Sequence, residues 1–316
     1  HFGSNLLDQG LLLLCLKGAL SVGLLILPTI LMGGTLPLLA AWLQKESDDA
    51  GRRSARFYSV NSLGAVVGAG LGGFVLVREL GMVATLQATA LVNVIVGGAA
   101  IVLSRRAQPA APISAPAAAA PSEPAQNAPS PSLAWSCSLV AVTGGISMGL
   151  EILASRSLGM IFGASLQSFA VMLIAFILGI GVGSAVIASP RFSRLHSPTT
   201  ISSLLLGAAF CVALFIASIE MWGLLYAKAR SGLASTEVGY LFHEILTAVI
   251  AVAVLGLPAG MLGSVLPLLI RILSGSTTFL GDRVGRLLTW NTLGAVVGAF
   301  VTGGISGGIA GGMKHL

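Results

Sequence analysis

An acid buried in an apolar run is the strongest chemical signal in this chain. Glu151 lies in Gly149-Leu150-Glu151-Ile152-Leu153-Ala154-Ser155-Arg156. A charge at mid-bilayer costs roughly 2.5–3.5 kcal/mol on insertion scales, so it persists only with a partner, a cavity or a route to the surface. Two roles answer to that: a clamp between helices, or the counter-charge of a substrate or proton path. Arg156 follows five residues later, a poor same-face spacing on a helix, so it need not pair with Glu151. His243 and Glu244 are adjacent in another apolar run and point about 100° apart, which argues against a shared metal site. Glu244 either lines a cavity or sits at the interface, while Glu220 and Lys17 lie near enough to span ends to snorkel. Asn61 and Asn291 stand at helix starts, where each caps a helix, bonds across to another or touches substrate. Cys15, Cys137 and Cys211 lack metal-ligand spacing and read as small hydrophobes. No nucleophile–base–acid set, metal cluster or cofactor loop stands out, so no catalysis, metal or cofactor is expected of the segment.

The elements that position these residues are membrane helices. Hydrophobic residues make up 55% of the 316, charged residues only 9%, outside the soluble globular range. Runs long enough to cross a bilayer fall at about 11–40, 57–77, 82–104, 133–154, 166–189, 200–226, 239–272 and 285–310. The expectation is an all-α polytopic membrane protein of about eight crossings, since only helices satisfy their backbone alone in lipid. Threading the chain through these spans puts eleven Lys and Arg on one side and five on the other, making the first side cytoplasmic. The cations are dispersed over short loops without an aromatic surface, which excludes a nucleic-acid partner. The lipid bilayer is the partner that the composition demands, and a bacterial inner membrane is the expected location.

A duplication organises these spans. Residues 27–69 align with 257–299 without a gap, and 19 of 43 positions are identical, including Pro28/Pro258, Pro37/Pro267, Gly51/Gly281, Arg53/Arg283, Arg56/Arg286 and Asn61/Asn291. Such a unit points to a two-half, transporter-like architecture with parallel repeats. Residues 107–132, almost wholly Ala, Pro and Ser, form an expected cytoplasmic linker between a first repeat at 1–106 and a second at 133–316. Three spans precede it and five follow. Matching the duplicated block then implies helices lost from both ends, and restoring them gives a 6+6 bundle of major-facilitator type; a plain eight-helix chain is the simpler alternative. Pro28, Pro37, Pro258 and Pro267 are matched helix-break positions that mark either a binding cavity or packing kinks. Gly64, Gly68 and Gly72, with Gly294 and Gly298, recur every four residues as faces for close helix approach. The glycine-rich run 301–312 continues the second face, without the strand and acidic ligand of a nucleotide site.

Pro28-Thr29-x-Leu31-Met32-Gly33-Gly34-Thr35-Leu36-Pro37-Leu38-Leu39 followed by Tyr58-x-x-Asn61-x-Leu63-Gly64-Ala65-x-x-Gly68 resembles the membrane domain of the fused spermidine-synthase-like membrane proteins. Glu151 to Arg156 is similar to the Glu-x-x-x-x-Arg part of the Leu-x-x-Glu-x-x-x-x-Arg signature that opens each half there, and Gly163-Ala164-Ser165 and Gly179-x-Gly181-x-Gly183-Ser184 also fit. Ala154 departs from it, where the family commonly has an aromatic. Gly281-Asp282-Arg283-Val284-Gly285-Arg286 is similar to part of the cytoplasmic loop signature of major facilitators. The resemblance implies transport of a small cationic metabolite such as a polyamine. The alternative is a non-catalytic scaffold that anchors a soluble synthase domain or packs against another membrane subunit. In that family an aminopropyltransferase-like domain usually follows the membrane part.

Overall fold

The computed structural model describes residues 10–46, 50–106, 132–163, 165–191, 197–232, 237–274 and 280–312, which are helical almost throughout and contain no strand. The helices are α1 (Gly10–Glu46), α2 (Ala50–Gly70), α3 (Val77–Arg106), α4 (Leu133–Phe162), α5 (Leu166–Ala188), α6 (Pro198–Ser231), α7 (Glu237–Ala251), α8 (Leu257–Gly263), α9 (Val265–Ser274) and α10 (Leu280–Gly312). Among the described residues seven stretches are long and apolar enough to cross a membrane. One of them, Gly51–Arg105, joins two of the spans expected from sequence. At 1.5 Å per residue it would extend about 80 Å if straight, against a hydrocarbon core of about 30 Å. It is not straight, because Gly81 breaks it with φ 74° and ψ 173°, a region that is essentially reserved for glycine. The linker at 107–132 lies outside the described residues except for Ser132.

Helix ends follow local capping more than polarity. Ser132, Ser165 and Ser197 accept from the backbone N–H of Trp135, Ser168 and Thr199 at the starts of α4, α5 and α6, satisfying donors that the first turn leaves free. Helix α4 runs past Arg156 to Phe162, beyond the expected end at 154, and stops at Gly163 with φ 93°.

Two layers of buried side chains hold the bundle. One gathers Ala40 and Leu43 of α1, Val140 of α4, Ile187 of α5, most of α9 and the first turns of α10. The other gathers Leu158 and Phe162 of α4, Val171 to Phe176 of α5, Tyr226 of α6 and Ile250 to Ala259 of α7 and α8. By contrast α1 and α3 turn large apolar side chains outward along most of their length, Leu24 and Val94 among them. Surfaces of that extent are stable in lipid and not in water, so the chain is an integral membrane protein.

Glycines set the closest helix contacts. A Cβ added at Gly294 or Gly298 of α10 would be driven into the carbonyl oxygens of Ala141 and Gly145 on α4, and one at Gly179 of α5 would lie 2.9 Å from the Gly256 Cα. The repeated glycines of α2 and of the π-helical turn Leu71–Leu76 that follows it behave differently. Gly64, Gly68 and Gly72 have open space where a side chain would begin.

The duplicated segments meet each other reciprocally. Gly51 packs against Arg271 and Ser274, and Gly281 packs against Ala41 and Pro37. Adding the repeat offset to 51 and 41 gives 281 and 271, so the two contacts are the same contact made in both directions, as a two-fold relation produces. The matched prolines do not act alike. Helix α1 continues through Pro28 and Pro37. Before Pro258 the backbone widens into a π-helical turn at Val252–Gly256, with the Leu257 N–H reaching Val252 O, and a second interruption falls at Ser264. Proline removes a donor and crowds the carbonyl four residues back, which favours such a bulge.

Candidate functional site

Half-way along α4 and α5, between the two buried layers, the helices part around a cavity of about 170 Å³. Its polar groups come from Thr143, Ser147 and Glu151 of α4, Asn291 of α10 and Tyr58 of α2; Phe176 and Ile180 of α5, Leu262 and Leu266 of α8 and α9, Met148 of α4 and Ala295 of α10 are apolar.

Each polar group is placed by a local feature. Thr143, Ser147 and Glu151 are four residues apart and therefore stack on one helix face. The Thr143 hydroxyl donates back to Leu139 O at 3.0 Å. Asn291 comes close to α4 because Gly144 has no side chain: a Cβ there would lie 2.8 Å from the Asn291 Oδ1. Tyr58 is held by its neighbours on α2. Ser59 donates to Gly181 O of α5 at 2.9 Å, and Ser62 donates to Tyr58 O at 3.0 Å. Glu151, Asn291 and Tyr58 themselves make no side-chain hydrogen bond or ion pair among the described residues, and all three line the cavity.

The sequence candidates therefore separate. Glu151 and Asn291 meet at the cavity, and Leu262, Gly263 and Leu266 bring the segment between Pro258 and Pro267 to its wall. Asn61, the repeat equivalent of Asn291, is exposed on α2, and Arg156 is exposed farther along α4. Glu244 belongs to a different cluster on α7, where its Oε1 lies 3.8 Å from Nδ1 of His243. The other ring nitrogen of His243 is hydrogen-bonded to the Tyr226 hydroxyl, and the Tyr226 ring stacks at a tilt on Phe162. That cluster ties α7 to α6 and α4 and shares no residue with the cavity wall.

Tyr58, Thr143 and Ser147 were absent from the sequence candidates. The 143/147/151 spacing is a polar stripe on an apolar helix and could have found two of them. Arg271, counted only as a loop cation, donates from Nη1 to Ile187 O at 2.7 Å and so fastens α9 to the C-terminal end of α5. A far larger groove of about 830 Å³ lies between α4, α6 and α10, but its walls carry no ionisable side chain. It offers shape to an acyl chain and no chemistry. No groups of three or more His, Cys, Asp or Glu that could hold a metal occur among the described residues.

No protein-family model, curated protein or solved structure matches this chain.

Proposed function

We propose that this chain is a transporter-like membrane module in which Glu151 is the counter-charge for a small cationic solute. The observation that carries the reading is the unpaired carboxylate itself. A structural clamp would bond Glu151 to a neighbouring helix; here the group has no such bond among the described residues and lines a cavity half-way along α4 instead. A charge so placed needs a cation or water to satisfy it. The cavity wall combines helices from both duplicated segments, which suits a solute site between two halves. The reciprocal contact near Gly51 and Gly281 supports parallel repeats, and the break at Gly81 supports eight crossings in place of seven. The resemblance to the spermidine-synthase-like membrane proteins and to a 6+6 bundle agrees with this reading and supplies the idea of a polyamine.

The scaffold reading has one observation of its own. The Gly64/Gly68 face of α2 is smooth, apolar and uncovered, which suits contact with a further membrane helix. Flux separates the two. In proteoliposomes loaded with labelled cations from methylammonium to spermidine, Glu151→Gln keeps shape and removes charge. A transporter loses flux while its melting is retained; a scaffold shows no flux in either form.

A further inference from the structure

Resting on the solute-cavity reading above, we infer that the site takes a compact aliphatic monoamine and discriminates against di- and triamines. Three features of the cavity lead there. The first is charge. Glu151 is the one carboxylate among the described lining residues, and Asn291, Tyr58, Ser147 and Thr143 are neutral hydrogen-bonding groups. One ammonium is neutralised; a second would enter an apolar bundle without a counter-ion, a large desolvation penalty. The second is size. About 170 Å³ is little more than the roughly 150 Å³ apolar cavity that accommodates benzene. The space therefore holds about six or seven heavy atoms by the same comparison, and an extended triamine would have to project out of its open side.

The third is the division of the wall. The polar groups all arrive from α4, α10 and α2, whereas α5, α8 and α9 contribute only apolar side chains and glycine; Met148 of α4 and Ala295 of α10 add to the apolar surface. An ammonium head with a short hydrocarbon tail meets both sides, whereas a diamine has a cation at each end and sets one of them against Phe176, Ile180, Leu262 or Leu266. A solute cation without a tail, such as ammonium, would leave the apolar wall unfilled.

The test uses the whole chain reconstituted in lipid, with labelled n-butylamine as the probe. Unlabelled butane-1,4-diamine and spermidine serve as competitors, since the diamine shares the carbon skeleton and differs by the second charge. The expected result is saturable butylamine binding that the diamine displaces at least tenfold more weakly than unlabelled butylamine does, with spermidine weaker still. Glu151→Gln should lose binding at least tenfold, and Glu151→Asp should retain part of it. The discrimination is read on the unmodified chain, so it does not depend on any variant folding. Equal or tighter binding of the diamine or triamine, still dependent on Glu151, overturns the monoamine assignment and leaves the cation cavity standing. Absence of Glu151-dependent binding for all three amines overturns both.

Discussion

The seven residues Leu63–Ala69 and Leu293–Ala299 are identical, both are α-helical, and only the second set is packed against another helix through its glycines. This supplies an internal control for helix packing. Alanine at Gly68 and at Gly298 changes intrinsic helix preference equally, by about 0.8–1.0 kcal/mol in favour of alanine. At Gly68 nothing lies within 4 Å of the new methyl, so the gain stands alone. At Gly298 the methyl enters the Gly145 backbone, with the Gly145 Cα 2.7 Å away, and such overpacking costs typically about 1–3 kcal/mol. The two variants should therefore differ by about 1–3 kcal/mol, a roughly 5- to 150-fold difference in unfolding equilibrium. The pair Gly64→Ala and Gly294→Ala should differ in the same sense, since the Gly294 methyl would meet Ala141. Unfolding in mixed micelles by added sodium dodecyl sulfate, followed by circular dichroism, measures the difference directly. Equal free-energy changes at 68 and 298 would refute the packing of α10 on α4.

Other outcomes follow from the remaining contacts. With Cys15, Cys137 and Cys211 replaced by serine, Ala41→Cys with Gly281→Cys and, separately, Gly51→Cys with Arg271→Cys should each form an intramolecular disulfide under mild oxidation, read as linked peptides by mass spectrometry. Failure of both would remove the reciprocal contact between the duplicated segments. Arg271→Met deletes the charged donor to Ile187 O and should destabilise the bundle by about 1.5–3 kcal/mol, the usual worth of a hydrogen bond to a charged group; an unchanged micellar unfolding curve would mean the bond contributes nothing. Tyr226→Phe removes the hydroxyl that pairs with His243 and should weaken the α6–α7 contact by about 0.5–1.5 kcal/mol without altering amine binding at the Glu151 cavity. A loss of amine binding in that variant would show that the two clusters are coupled.

The sequence made the helices legible because each apolar run must satisfy its own backbone. Its division between the spans 57–77 and 82–104 falls beside the break at Gly81 in α3, since Arg78 and Glu79 interrupt the hydropathy there. Hydropathy ends α4 too early, at 154, because Arg156 lowers it where the chain keeps helical geometry until Gly163 supplies a positive φ. Glu151 was legible as costly and therefore functional or paired. Which of these holds depends on the distance to other helices, and no periodicity encodes that. Tyr58 reaches the cavity because α2 packs on α5, where Ser59 donates to Gly181 O, a contact between residues 122 apart in sequence.

The same limit explains why one repeated phrase has two environments. Asn61-Ser62-Leu63-Gly64 and Asn291-Thr292-Leu293-Gly294 carry equal instructions for a helix with a smooth face. Asn291 is half-buried and lines a cavity because α4 offers Gly144 and Gly145 opposite it; Asn61 is exposed because none of the described helices offers a glycine pair to that side of α2. A small-residue face is a capacity for close approach, and a partner helix is required to realise it. The cavity follows from the same asymmetry. α4 covers α10 and sets Glu151 and Asn291 on the wall of one cavity, so this arrangement exists once although the motif is written twice. If Asn61 were a substrate residue in its own right, Asn61→Ala would reduce amine binding as Asn291→Ala does. The structure instead requires Asn61→Ala to leave binding unchanged and Asn291→Ala to weaken it several-fold. Equal losses at both positions would mean that the solute contacts α2 and α10 alike, and the cavity described around Glu151 would have to be redrawn.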